Sequence, residues 1–382
     1  MAFLRGLFGL SKVGAVGVDI GSSNVKVMYI EDTKKGPQVV RVGLADTPKG
    51  TVKDGKIVDP EALGETIRQV FESREIPAKK VVSAVAGQSV VVRPIRLPQM
   101  AEKDLNEAIK FEAERYLPYS ASDAQIACQI ITKAIEGDEK HMEVLLVSAQ
   151  KEMVQNIVET IEWAGYEPEA IDLEPFAILR ALQVSINKEQ FNQTIALIDL
   201  GASSSSINIV KNGILRHNRT ITVAGNNFTK AIGQALNLTF DEAEKLKKEK
   251  GIIRVDKEAA PIAPAAMRIF NVITPVLTEL VTEIQRSFDY YRSRYRGEMV
   301  DLIIISGGTS CFINIEKYLE AELGIKVQQA NPLISMSYQK DIGFSEDRLK
   351  SLAPELMVSV GLAMRQIMIA NPGKYQMVSF EV

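Results

Sequence analysis

Histidine, cysteine and tryptophan are scarce in this sequence of 382 residues, which contains two, two and one of them. Cys128 and Cys311 cannot build a disulfide framework, and such scarcity is typical of a protein in a reducing cytoplasm. His141 and His217 lie far apart and near no cysteine, which argues against a zinc site. Basic residues are not in excess, because the net charge is -3, and nothing indicates a nucleic-acid-binding surface.

Long apolar runs are also absent. No stretch approaches the roughly 20 apolar residues that span a bilayer. Residues 1–13 are apolar but short, and we expect an arm there rather than a signal peptide. If the arm is helical, Phe3, Leu4, Leu7 and Phe8 share one face and could contact a membrane surface. Two glycines disfavour that helix, and an arm that is unstructured or packed on the body is the alternative.

Apolar residues make up 46% of the chain and charged residues 24%, which is typical of a globular protein with material for more than one core. Residues 80–86 read as a continuous apolar strand. Asp59-Pro60 marks a helix start, with the aspartate as N-cap and the proline at the first helical position. Strands alternate with amphipathic helices in this way, which predicts an α/β fold.

The chain contains an internal repeat. Residues 16–27 and residues 196–207 each read as an apolar strand, an Asp-apolar-Gly turn rich in small polar residues, and a second strand. The acidic residues of the two copies are Asp19 and Asp199. Because the copies lie half a chain apart, the repeat predicts two lobes of similar plan, each opening with the same hairpin.

Both turns suit a polyphosphate and its metal ion. Gly21 and Gly201 allow backbone N–H groups to point at an anion without side chains in the way. Asp19 and Asp199 stand where each strand enters its turn. Two carboxylates facing each other across a cleft suit a hydrated Mg²⁺, which takes few protein ligands. We therefore expect these two aspartates to be the metal ligands.

A third turn, Ser306-Gly-Gly-Thr-Ser310, follows another buried strand and offers a flat backbone surface to a nucleoside. Together the three turns predict a site that holds ATP and Mg²⁺. The residues that we expect to contact the nucleotide belong to these turns and the strand beside the first: Gly21, Ser22, Ser23, Asn24, Lys26, Gly201, Ala202, Ser203, Ser204, Gly307, Gly308 and Thr309.

Residues 89–148 interrupt the α/β plan. They read as a strand, a helix and two further strands, which is a small module in its own right. Pro94 lies in the first of these strands and removes a backbone donor, which indicates a strand at the edge of its sheet.

The three turns are similar to the phosphate-1, phosphate-2 and adenosine motifs of the actin/Hsp70/sugar-kinase superfamily. This resemblance implies an α/β, two-lobed actin-like fold, a duplicated ribonuclease-H-like unit with ATP in the cleft. Residues 225–229 and the helix after Thr239 resemble the helix pair that flanks adenine in that superfamily. Gly225, Lys245 and Lys248 are therefore further candidates, although a solvated basic helix face is the alternative for the two lysines.

The inserted module resembles subdomain 1C of the FtsA and PilM families. Residues 90–100, 108–118 and 171–180 are similar to the PilM family of type IV pilus assembly proteins in particular. That resemblance implies a cytoplasmic adaptor at the inner face of the inner membrane. It also implies a division of the chain into an N-terminal arm at 1–13, subdomain 1A at 14–88 and 149–190, 1C at 89–148, 2A at 191–224 and 300–382, and 2B at 225–299.

The resemblance to PilM further implies a partner. That family binds a short N-terminal peptide of the membrane protein PilN in a groove between 1A and 1C, and contacts the membrane mainly through that partner. An extended peptide can lie beside an edge strand, and self-association is a further expectation. The candidates for this groove are Arg93, Arg96, Leu97, Pro98, Met100, Ile109, Phe111 and Tyr116. For the apolar members, packing inside the module is the alternative.

Catalysis and the choice of family leave alternatives open. Gln155 and Glu152, on the helix similar to the connecting helix of actin, are candidates to orient water for a weak ATPase, or are simply solvated side chains. An FtsA-like cell-division protein is one alternative, but residues 374–382 lack the length and basic face of the membrane helix that ends that family. A small-molecule kinase of the same superfamily is another, although no extra carboxylate for a second substrate is evident.

Overall fold

The computed structural model describes residues 13–53, 55–136, 139–255 and 263–375. Residues 1–12 of the N-terminal arm and the tail beyond residue 375 lie outside these ranges. The strands of the described chain, in sequence order, are β1 Gly14–Ile20, β2 Asn24–Thr33, β3 Gly36–Asp46, β4 Val52–Lys53, β5 Lys56–Ile57, β6 Lys80–Val85, β7 Val91–Pro98, β8 Ala124–Glu136, β9 Glu139–Gln150, β10 Glu167–Leu173, β11 Thr194–Leu200, β12 Ser205–Lys211, β13 Ile214–Ile221, β14 Leu302–Ser306, β15 Val327–Gln329 and β16 Ser337–Tyr338.

The first helix begins at the position that its capping residue predicts. Asp59 caps this helix by accepting a hydrogen bond from the backbone N–H of Ala62 at 3.0 Å. The helices are α1 Pro60–Ser73, α2 Glu102–Ala113, α3 Lys151–Trp163, α4 Glu174–Gln183, α5 Lys188–Phe191, α6 Gly225–Leu236, α7 Phe240–Lys250, α8 Pro264–Arg294, α9 Ile315–Leu323, α10 Glu346–Leu352 and α11 Met357–Ala370.

The first lobe is built on a six-stranded sheet in the order β10-β6-β1-β2-β3-β16. Strand β1 pairs antiparallel with β2 and parallel with β6. Four consecutive residues of β1, 15–18, are buried, so both faces of the sheet are covered. Helices α1 and α3 pack together on this sheet, and α4 and α11 form a second packed pair on it.

The second lobe repeats this arrangement. Its five-stranded sheet has the order β13-β12-β11-β14-β15, in which β11 pairs antiparallel with β12 and parallel with β14. Helix α8 packs on β12 and β13 and against α6, and closes the core of this lobe. The matching strand pairings confirm the internal repeat that the sequence predicts.

The inserted module is a three-stranded sheet in the order β7-β9-β8, with α2 packed beside it. Strand β7 lies at the edge, as Pro94 predicts. The module has its own small core, which consists of Ile95, Leu97, Leu105, Ile109, Ala113, Met142, Val144 and Leu146.

The C-terminal elements pack on the first lobe, whereas the sequence analysis assigns all of 300–382 to the second. Strand β16 pairs parallel with β3, and α11 lies across β1. Glycine permits this close approach, because a Cβ on Gly17 would overlap the backbone oxygen of Ser359 and one on Gly361 would overlap that of Ala177. Pairing between strands some 300 residues apart, such as β3 and β16, cannot be inferred from local sequence pattern. For the same reason, the apolar sequence of α11 does not indicate which sheet the helix covers.

Two helical stretches among the described residues, Pro264–Arg294 and Glu346–Ala370, are long and apolar enough to cross a bilayer by length and composition alone. Most of the second stretch is buried within the fold, as expected for a core helix. The first packs one face on the second sheet, and its buried residues recur at helical spacing. Both stretches therefore have a structural role inside this fold.

Candidate functional site

A cavity of about 530 Å³ lies between the two lobes, where β1, β11 and β14 end. The two turns of the internal repeat meet across it, because the Oγ atom of Ser22 donates a hydrogen bond to that of Ser203 at 2.9 Å. The sequence candidates that line this cavity are Asp19, Gly21, Ser22, Ser23, Asn24, Lys26, Asp199, Gly201, Ala202, Ser203, Ser204, Gly225, Lys248, Gly307, Gly308 and Thr309.

The turns around the cavity require glycine. A Cβ on Gly21 would lie 2.9 Å from the carbonyl oxygen of Asn24, and one on Gly201 would lie 2.5 Å from that of Ser204. Gly307 has a φ of +83°, which side-chain-bearing residues rarely adopt. The polypeptide can therefore curve tightly at the cavity wall without side chains that would fill it.

Six acidic side chains line the cavity, and three of them, Asp19, Asp199 and Glu174, lie close enough to interact electrostatically with one another. Lys26 Nζ donates to Asp19 Oδ2 at 2.9 Å, and Ser306 Oγ donates to Asp199 Oδ1 at 2.7 Å. One lysine therefore serves as the paired cation for a group of acidic side chains drawn from both lobes.

The electrostatics of the cavity favour an added cation. Burial, followed by the charges of Asp199 and Asp19, raises the pKa of Glu174 to about 8. Burial also raises the pKa of Asp199, against the opposing effects of the Ser306 hydrogen bond and of Lys26. For Lys26, burial lowers the pKa, but the ion pair with Asp19 and further nearby carboxylates leave it raised. A second cation would relieve this repulsion between carboxylates.

The carboxylates at the cavity suit a hydrated metal ion that has few protein ligands better than an ion fully enclosed by protein side chains. Within the described ranges, no group of three or more His, Cys, Asp or Glu side chains is arranged to enclose a metal ion. Mg²⁺ commonly binds through one or two carboxylates, several waters and phosphate oxygens of a ligand. Asp19 and Asp199 could supply such carboxylates.

The raised pKa of Glu174 predicts a pH dependence of the free energy of unfolding. Folded Glu174 keeps its proton up to about pH 8, whereas the unfolded carboxyl loses it near 4.5, so the free energy of unfolding should fall as the pH rises between these values. Glu174→Gln should reduce this fall in urea titrations at several pH values. Glu152→Gln, at an exposed position, should leave it unchanged. The same slope in Glu174→Gln as in the wild type would contradict the assignment.

Helix α7 presents one face to the cavity. Glu244, Lys247, Lys248 and Gly251 line it, because residues three, four and seven apart share a helix face. Lys245, which the sequence analysis proposes at the site, does not line the cavity and has a side chain that is 76% exposed. It is rotated away from this face, and its proposed role is therefore not supported by its position.

Lys247 is a residue of this site that the sequence analysis missed. Its Nζ atom lies 2.6 Å from a carboxylate oxygen of Glu244 and donates to Thr229 Oγ1 at 2.9 Å and to the carbonyl oxygen of Gly225 at 3.2 Å. No local pattern separates Lys247 from Lys245, and only the packing of α7 shows which of them faces the cavity. Phe312 adds an apolar wall close by.

The two proposed catalytic residues do not reach the cavity. Glu152 and Gln155 lie on the exposed side of α3, and Gln155 donates to Glu159 within that helix at 3.1 Å. Helix α3 packs on the first lobe through its other face, including Met153. Glu174, the first residue of α4, does place its carboxyl group at the cavity. Its signal was the Glu-Pro helix start after a buried strand, but only tertiary structure brings that start beside the repeated turns.

The proposed partner-binding residues fall into two groups. Four of them are part of the core of the module or pack against it: Leu97, Met100, Ile109 and Tyr116. Four are exposed: Arg93, Arg96, Pro98 and Phe111. Phe111 is 74% exposed, and among the described residues of the module it is the large apolar side chain most available to a partner. For the first group, packing inside the module accounts for the apolar character.

Two sheets with the same strand arrangement, meeting at a cavity through matching acidic turns, define a two-lobed actin-like protein. A family model described as type IV pilus assembly protein PilM matches residues 17–367. The chain belongs to this family.

Individual relatives agree with this assignment. The chain is similar to a solved structure described as the PilM-PilN type IV pilus biogenesis complex, with 28% identity, a TM-score of 0.81, and coverage of 94% of this chain and 99% of that one. It is 30% identical to the cell division protein FtsA of Bacillus subtilis over 62% of this chain and 58% of FtsA, which is less than two thirds of that protein. The ethanolamine utilization protein EutJ of Carboxydothermus hydrogenoformans shares the fold, with 16% identity, a TM-score of 0.56, and coverage of 93% and 90%.

Proposed function

We propose that this protein binds Mg-ATP between its lobes and acts as a cytoplasmic adaptor in type IV pilus assembly, at the inner face of the inner membrane. The proposal that the protein binds Mg-ATP rests mainly on the contact between Ser22 and Ser203, which brings two acidic turns to one cavity. A ligand that bridges two lobes needs binding groups from both at one place. Membership of the PilM family supports the pilus part.

The residues at the cavity fit a triphosphate and a divalent cation. The glycine-containing turns leave room for phosphate oxygens beside serine hydroxyls, and Lys248 adds positive charge at the rim. A bound Mg²⁺ would offset the repulsion among Asp19, Asp199 and Glu174 and would neutralise phosphate charge. Phe312 supplies an apolar wall for a base.

Glu174 is the side chain that we assign to orienting water in any hydrolysis, because its carboxyl group lines the cavity and accepts a hydrogen bond from Ser206 Oγ at 3.2 Å. A bound cation would favour its ionised form. Glu174→Gln should lower the rate of phosphate release from Mg-ATP by about a hundredfold, a typical value for loss of such a group, with a smaller effect on binding. Gln155→Ala is the matched control and should keep the wild-type rate. Undetectable turnover by the wild type would remove hydrolysis from the proposal.

The partner that we assign is a PilN-like inner-membrane protein, through which the protein reaches the membrane. The similarity to a PilM-PilN complex supports this choice. The groove between the first lobe and the inserted module is the proposed site, and Phe111 is the exposed apolar residue of the module that can contact an incoming peptide.

Phe111→Ser should lower the affinity for a synthetic peptide of the cytoplasmic N-terminus of the PilN-like protein from the same organism, by about tenfold or more, because an exposed apolar anchor is lost. Fluorescence anisotropy measures this affinity. Phe240→Ser, at a 46% exposed position on α7 of the second lobe, is the control and should bind as the wild type does. Equal affinity in both variants would place the peptide elsewhere.

A further inference from the structure

A second cavity, of about 610 Å³, lies along the seam between the inserted module and the second lobe. Its walls carry five arginines, with one from β7, two from β13 and two from α8: Arg93, Arg216, Arg219, Arg286 and Arg294. None of the described residues that line it is an aspartate or a glutamate. Because the whole chain has a net charge of -3, this is a local concentration of positive charge.

Only part of this charge is offset by neighbouring carboxylates. Glu143 lies 3.2 Å from Arg216, and Glu283 contacts both Arg219, at 2.5 Å, and Arg286. Arg93 and Arg294 have other kinds of partner. The guanidinium of Arg93 lies 5.1 Å from the ring centre of Tyr116, and Arg294 donates to the backbone oxygen of Pro94 at 2.9 Å.

One ring nitrogen of a partly buried histidine in this cavity lacks a hydrogen-bond partner in the described part of the chain. The Nε2 atom of His217 is buried and has no hydrogen-bond partner among the described residues. Its ring packs beside Tyr290, with centroids 5.1 Å apart. Burial, followed by the charges of Arg219, Arg294 and Arg93, lowers the pKa of His217 to about 4. At neutral pH this uncharged ring therefore leaves a polar atom without a protein partner, within the described ranges, inside a positively charged cavity, where water or a ligand can pair with it.

We propose that this cavity binds a phosphate-bearing small molecule, held by arginines of the inserted module and of the second lobe together. The planar guanidinium fork matches the oxygens of a phosphate, and several such forks converge here. The volume lies within the range of about 300–1,000 Å³ that is usual for small-molecule sites. An oxygen of the ligand can also pair with His217 Nε2.

The backbone around the cavity argues against an extended acidic peptide as the occupant. Such a peptide would pair with the free edge of a strand. At the edge of β7, Pro94 has no N–H to donate, and its carbonyl oxygen already accepts from Arg294. The carbonyl oxygen of Gly87 accepts from Thr220 Oγ1 of β13 at 3.4 Å. A ligand in this cavity therefore has to be bound by side chains and not by backbone pairing, which suits a compact anion better than a peptide.

Occupancy would couple the module to the second lobe. Arg93 belongs to the module, whereas Arg219 and Arg294 belong to the second lobe, so a single anion would contact both. By linkage, a ligand that bridges two bodies stabilises the arrangement in which both can reach it. The inserted module would be held more firmly against the second lobe when the anion is bound.

The experiment uses pyrophosphate as the probe and the ring signals of histidine as the readout. The chain has two histidines, and His141→Gln assigns the remaining signal to His217. Pyrophosphate at millimolar concentration should shift the His217 signal in the full-length protein and raise its pKa, because the anion offsets the charge of the surrounding arginines. Sodium chloride at the same ionic strength should not do so.

Arg93→Gln and Arg294→Gln should each weaken this pyrophosphate-dependent shift by about tenfold in apparent affinity, since each removes a charged contact. Arg292→Gln is the control, because Arg292 lies on the same helix, pairs with Asp289 at 3.1 Å and does not line the cavity. A His217 signal that stays in place while pyrophosphate binds elsewhere would overturn the proposal. So would an equal shift with chloride, or tighter binding of an oligoglutamate peptide than of pyrophosphate.

Discussion

Replacing Asp19 or Asp199 with asparagine should lower the affinity for Mg-ATP by about ten- to a hundredfold. Both carboxylates lie at the wall of the cavity between the lobes, and both belong to the turns that meet there. An amide has nearly the same shape but no charge, so it keeps the packing and loses the attraction to a cation. Interactions with a charged group contribute about 1.5–3 kcal/mol, and 1.4 kcal/mol corresponds to tenfold in affinity.

Calorimetric titration of ATP with and without Mg²⁺ measures this effect. If the aspartates act through the metal, the loss should appear in magnesium and largely disappear in EDTA. Asp104→Asn, at an exposed position on α2 of the module, is the control and should bind Mg-ATP as the wild type does. Wild-type affinity in both cavity variants would remove the metal assignment while leaving the actin-like fold and the family untouched.

Gly361→Ala should destabilise the first lobe by about 1–3 kcal/mol or more, although alanine favours a helix by about 1 kcal/mol over glycine. The added Cβ would overlap the backbone oxygen of Ala177 on α4, where α11 packs against that helix. Backbone atoms cannot move aside as the end of a flexible side chain can. The two helices must therefore separate, and the lobe loses contacts across a shared core.

Gly233→Ala on α6 is the control for this substitution. The nearest atom to its added Cβ is the backbone oxygen of Leu238 at 3.1 Å, a tight contact but not an overlap. Urea unfolding followed by circular dichroism should show a lower midpoint for Gly361→Ala and a much smaller change for Gly233→Ala. Equal midpoints for Gly361→Ala and the wild type would mean that the helices can separate at little cost.

The sequence was sufficient to predict the parts of the fold that repeat or that depend on local chemistry. The hairpins that carry Asp19 and Asp199 were predicted because each is complete within a dozen residues, and the edge position of β7 followed from Pro94. Helical phase was harder to predict: Lys245 and Lys247 are two positions apart, and only the packed helix shows which of them faces inward.

Long-range packing could not be predicted from local pattern. Glu174 lies 155 positions after Asp19 and reaches the same cavity only because β10 joins the first sheet beside β6. An acidic residue at a helix start has no local signal that distinguishes a site from a surface. The exposed residues Glu152 and Gln155 were chosen on an alignment of helices, whereas burial and neighbouring charge identify Glu174.

The return of the C-terminal elements to the first lobe means that the chain passes between the lobes twice, once before β11 and once between β15 and β16. Because the two lobes are joined at these two crossings, they can rotate relative to each other most easily about the line that connects the crossings. Any opening of the cleft should therefore be a rotation about that axis. The segment between β15 and β16 is one of the two connections, and α11, which follows it, covers one face of the first sheet.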